Sequence, residues 1–277
     1  MHPLVQTIVP TVLVPAAVCG VSVLAASLLP PGRWRGALVG AGAAAAWCLG
    51  VWFAVRTPRW PPMQAADWQF YAVMVAGLVA LVFPWGATTA WQRGMSGFVF
   101  FAVFFVLLAH RFLAGLWPGM AAMAWPAGLA AFALLNVWAV AGVARSVQAA
   151  ATCGAIMVFS VLVSAGLALG GAATLGHSAG ILAAAAGAAW VVSWTLRRQM
   201  DGLPAAFAAT VVLGGLLGQG VLFGGLDPAA AIWFGAAWPV AAMATRVLRH
   251  CGGKLRVGFV LGVLAGCGGV ALWQIKT

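Results

Sequence analysis

The sequence predicts an all-α, polytopic transmembrane helical bundle of about ten spans, on three observations. Hydrophobic residues make up 64% of the chain and charged residues 6%, where a soluble domain carries roughly 45–50% and about 25%. Mean hydropathy is +1.05. At roughly 27 residues per span with its connection, 277 residues hold about ten spans and leave almost nothing for a soluble domain. Too few charges exist to cover a water-facing surface, so the whole of 1–277 is read as a single membrane domain surrounded by lipid. The net charge of +11 does not point to nucleic acid, because the 14 basic residues stand singly or in pairs between apolar runs and form no patch.

The first span is expected over 4–29. No Lys or Arg precedes it and its run is long for a signal-peptide core, so it is read as a retained span. Pro30-Pro31-Gly32 breaks the chain before span two, over 37–55, and Thr57-Pro58 with Pro61-Pro62 breaks it again. Span three is expected over 69–90 and span four over 95–116, closed by Trp117-Pro118-Gly119. Spans five to eight follow over 119–144, 149–170, 175–196 and 203–225. Asp227-Pro228 opens span nine, over 228–247, and Gly252-Gly253 precedes span ten, over 256–275. Pro84, Pro126 and Pro239 fall inside spans three, five and nine, where a missing N–H bends a helix. Trp34, Trp60, Trp68, Trp91 and Trp117 sit near span ends, as belt residues do.

Small residues set how the helices meet. Gly40-x-Gly42 and Gly214-Gly215-x-x-Gly218-x-Gly220 are read as tight helix contacts rather than a ligand cradle. Gly/Ala-rich faces of this kind also suit homo- or hetero-oligomers. The five cysteines show no metal-binding spacing and are read as small hydrophobes, so no metal site is expected. Of the 14 basic residues, ten lie in the odd-numbered connections, which the positive-inside bias places in the cytoplasm. Both termini are then expected on the outer side of the cell's inner (plasma) membrane. Arg56 and Arg59, in a short loop with Asp67, dissent.

The halves 1–145 and 146–277 carry a pattern of correspondences. Asp67 matches Asp201 at an offset of 134, and Arg111-Phe112-Leu113 matches Arg246-Val247-Leu248 at 135. Trp138 matches Trp273, again at 135. Ala46-Trp47 and Trp52 resemble Ala189-Trp190 and Trp194 at offsets of 142 and 143, and Arg56 and Arg197 follow them. Five spans per half would insert in opposite orientations, giving a 5+5 inverted repeat. By length and span count over the whole chain, the sequence resembles the drug/metabolite transporter superfamily. That resemblance implies a secondary carrier with its substrate near the midplane between the halves.

Few residues offer chemistry. Asp67, Asp201 and Asp227 are the only carboxylates and all fall near expected span ends. Proton- or ion-coupled transport generally needs an ionisable group within the membrane, so coupling is poorly supported. No GxSxG, HExxH, Walker A or DxxxD pattern occurs, and no catalytic residue is expected. Arg111 falls inside the end of span four, where it either snorkels to headgroups or meets an anionic group. Asn136 and Gln219 are uncharged amides at depth, which must face other helices or a cavity. Arg111, Asn136 and Gln219 are therefore the candidate substrate-binding residues. His110 and His177 form a conceivable haem pair, against the simpler expectation of interfacial histidines and no cofactor. Two functions remain open: a small secondary transporter or facilitator, and a non-catalytic subunit or scaffold of a larger respiratory or secretion complex. A polar-lined cavity between the halves would favour the first. A solid apolar bundle with a broad exposed Ala/Gly face would favour the second.

Overall fold

The computed structural model describes residues 7–30, 33–55, 57–82, 89–115, 120–147, 149–196 and 203–276. Side chains at 33, 90, 110–115, 120–123, 149, 203 and 276 lie outside that description. Ten helices follow in order: α1 (Val14–Leu28, entered through a π-helical turn, Val9–Leu13), α2 (Arg33–Ala54), α3 (Ala65–Val82), α4 (Ala90–Gly115) and α5 (Met120–Ser146). The second half holds α6 (Ala149–Leu169), α7 (Ala173–Leu196), α8 (Leu203–Phe223), α9 (Pro228–Val247) and α10 (Gly253–Lys276). No strand occurs among the described residues.

All ten are long and apolar enough to cross a bilayer. Without water in the hydrocarbon, each backbone N–H and C=O has to bond within its own segment, and a helix does that for every residue between its ends. The outward faces are apolar as well. Leu28, Phe53, Leu78, Val99, Val161, Val191, Ile232, Met243 and Phe259 are exposed on them, a surface suited to lipid and not to water. Trp34, Trp60 and Trp91 are exposed at or beside helix starts, as the belt reading expects.

α8 is the most enclosed helix, packing against α2 to α7 and against α9. α6 pairs closely with α7, and α1 lies in the angle between α2 and α7. α10 stands at the edge, held by α6 and α9. Short connections make sequential helices run in alternate directions, so α5 and α9 run the same way. Two of the connections brace each other. Gly171 (φ +88°) ends α6 and Gly225 (φ +74°) ends α8, both in the left-handed region that glycine enters without Cβ strain. The Leu226 N–H then donates to the Gly220 carbonyl at 2.9 Å, and the Ala172 N–H to the Leu167 carbonyl at 2.8 Å. Asp227 caps α9 by accepting from the Ala229 N–H at 2.8 Å.

The carboxylate expected near the start of span three lies in the first turn of α3 and is enclosed. Asp67, 1% exposed, accepts from the backbone N–H groups of Arg59, Met63 and Gln64 at 3.1–3.2 Å. It folds the 57–64 connection over the start of α3. That helix begins at Ala65, four residues before the expected span, and reaches Val82. Pro84 and Asp201 lie outside the described residues.

Candidate functional site

A cavity of about 290 Å³ opens between α4 and α5 of the first half and α6, α8 and α9 of the second. It exists because small residues face it from several sides. Gly214 and Gly218 of α8 line it, and a Cβ at either would meet nothing closer than 3.6 Å. Gly235 of α9 lets the Cε1–Cζ edge of the Phe132 ring of α5 approach the backbone, in space that any side chain at 235 would occupy. The remaining wall is apolar and aromatic. Phe159 of α6 packs edge-on to Trp238 of α9, ring centroids 5.7 Å apart at 74°. Trp125, Phe132 and Ile232 line the cavity and are also exposed, so its mouth opens between α5 and α9 onto the lipid-facing surface.

None of the residues lining the cavity is charged. Asn136 and Thr210 supply polar side chains, each within three residues of its helix midpoint and so near the centre of the membrane. Asn136, 9% exposed, donates from Nδ2 to the Phe132 carbonyl at 3.0 Å. The Thr210 hydroxyl donates to the Ala206 carbonyl at 2.8 Å. Both bonds return to the residue's own helix, a local arrangement open to hydroxyls and short amides. Pro239 has no N–H for the Gly235 carbonyl one turn before it, which removes that carbonyl's helical partner at the cavity wall.

The candidate residues separate. Asn136 lines the cavity. Gln219 does not: its Nε2 donates to Oε1 of Gln69, and Gln69 donates in turn to the Val212 carbonyl at 2.9 Å. These two amides, 3% and 1% exposed, tie α3 to α8. Gly215 makes the tie possible, because a Cβ there would come within 3.0 Å of the Gln69 amide carbon. Sequence reading missed Gln69, whose partner is 150 residues away. His177 is exposed in the first turn of α7. The side chains of His110 and Arg111 lie outside the described residues. Among the described residues no group of three or more His, Cys, Asp or Glu is placed to hold a metal ion.

The class these features define is an all-helical, multi-pass integral membrane protein with an uncharged, laterally open cavity. Comparison with protein-family models, with curated proteins and with solved structures gave no match. The likeness to the drug/metabolite transporter superfamily therefore remains one of length and span count.

Proposed function

We propose that this protein is a small carrier or facilitator for an uncharged, largely apolar molecule, taken up from the bilayer into the cavity between the halves. The observation that carries this reading is the cavity itself, lined by both halves and open towards lipid. Ligand pockets are mostly apolar with a few polar groups that fix orientation, and this one has that composition. The absence of charge from its lining favours a neutral solute, because a buried unpaired ion is costly. Facilitated movement needs no buried carboxylate and agrees with the 5+5 plan of the resembling superfamily. The excess of basic residues in odd-numbered connections supports a plasma (inner) membrane location with both termini outside.

A second reading, a membrane subunit packed against another chain, draws on α10. Gly258, Gly262 and Gly266 recur every four residues along it, and a Cβ at any of them would meet nothing within 4 Å. Faces of that pattern let transmembrane helices approach closely.

Stopped-flow light scattering of proteoliposomes separates the two. For a carrier, benzyl alcohol enters faster than into protein-free liposomes, and Gly218→Leu, which projects a side chain into the cavity, returns entry to the protein-free rate. No acceleration for benzyl alcohol, butane-1,4-diol or glycerol would contradict the carrier reading and favour the subunit.

A further inference from the structure

Resting on the cavity-binding reading above, we infer that the cavity selects apolar molecules bearing a hydroxyl or comparable hydrogen-bond donor, and that Oδ1 of Asn136 receives it. Asn136 is the only asparagine in the chain. Its Nδ2 is committed to the Phe132 carbonyl. Turning the amide over would set two carbonyl oxygens 3.0 Å apart, so chemistry fixes nitrogen towards the helix and oxygen away from it. That oxygen has no partner among the described residues, although the side chain is nine-tenths buried and lines the cavity. An acceptor that opens onto an apolar cavity at mid-membrane depth has no bulk water beside it, and marks a place where something else supplies the donor.

The surroundings restrict what that is. α5 and α9 run the same way with Phe132 against Gly235, so Asn136 and Trp238, each about one turn further along, stand at the same level. The Trp238 indole N–H likewise has no acceptor among the described residues. A hydroxyl answers both groups, giving its hydrogen to the amide oxygen and offering a lone pair to a neighbouring N–H. A ketone, quinone or ether cannot donate, and a carboxylate or ammonium would enter without a counter-charge. The volume is roughly twice that of a cavity holding one benzene ring, which suits two fused rings or a chain of similar bulk.

The probes are 2-naphthol and 2-methoxynaphthalene, equal in ring system but differing in the donor. They are added to the full-length protein in nanodiscs, with affinity read from tryptophan emission. The preference for 2-naphthol is expected to be about 3- to 10-fold larger in the native protein than in Asn136→Leu, a comparison that cancels partition into the bilayer. Because Asn136 is unique, protein grown with asparagine carrying ¹³C at the side-chain carbonyl gives a one-site infrared band without any substitution. That band should move to lower frequency with 2-naphthol and stay in place with 2-methoxynaphthalene. Equal binding of the two probes with an unmoved band would overturn the donor inference and leave cavity binding standing. Failure of both probes to bind would overturn the two together.

Discussion

A buried amide in hydrocarbon has no water to fall back on, and Gln69 and Gln219 show what such a residue does when its partner is another amide. Each is enclosed, and the pair passes a hydrogen bond from α8 to α3 and back to the α8 backbone at Val212. Interhelical bonds of this kind average about 0.6 kcal/mol and reach roughly 1.7 kcal/mol. Leaving one partner unmatched costs more, because the survivor keeps its desolvation penalty. Gln69→Leu should therefore lower stability in detergent by about 1–2 kcal/mol, while Gln69→Leu with Gln219→Leu should recover most of the loss. Thermal unfolding of the three proteins checks this, and additive losses in the double variant would contradict the pairing. Asn136 behaves differently although it is also an amide at depth. Its nitrogen is satisfied locally, its oxygen has no partner among the described residues, and the residue lines the cavity.

At the scale of the elements, the 169–172 and 224–227 connections position the mouth of the cavity. They rest on each other, so that a Cβ added at Gly170 would lie 3.5 Å from Leu226 Cα, and the second delivers Pro228 and the start of α9 to the cavity wall. A Cβ at Gly171 would meet nothing closer than 3.9 Å, so the cost of Gly171→Ala is conformational alone. That substitution should destabilise by about 1–2 kcal/mol. Replacement at Gly142, a helical glycine with open space around it, should be neutral or slightly stabilising by comparison. Equal effects in a thermal melt would show that the turn does not depend on its left-handed residue. Ten spans were legible in the sequence because hydrocarbon thickness demands a long apolar run, and only the ends moved. The start of α3 was placed four residues late because Asp67 looks like a loop residue by hydropathy, whereas the fold encloses it. Asn136 and Gln219 were legible as buried amides for the same physical reason that makes them rare. Their separation into a cavity group and a helix tie was not, since it depends on contacts more than 100 residues apart.

For the whole molecule, the decisive feature is where packing is left incomplete. Gly40, Gly42, Gly215 and Gly220 bring helices into close contact, as their spacing suggested, while Gly214 and Gly218 on the same α8 face a void. Sequence alone does not distinguish these uses, because a missing side chain reads identically against a neighbour and against empty space. The central claim is that this void between the halves is a binding site for a small neutral molecule. It is tested most directly by titrating naphthalene into the protein in nanodiscs and following tryptophan emission, with Gly218→Leu as the comparison. Saturable binding that falls by at least about tenfold in Gly218→Leu, at unchanged thermal stability, is the expected result, a loss comparable to removing one well-buried apolar contact region. Naphthalene affinity that is identical in the two proteins, or a response that rises linearly without saturation in both, would contradict it.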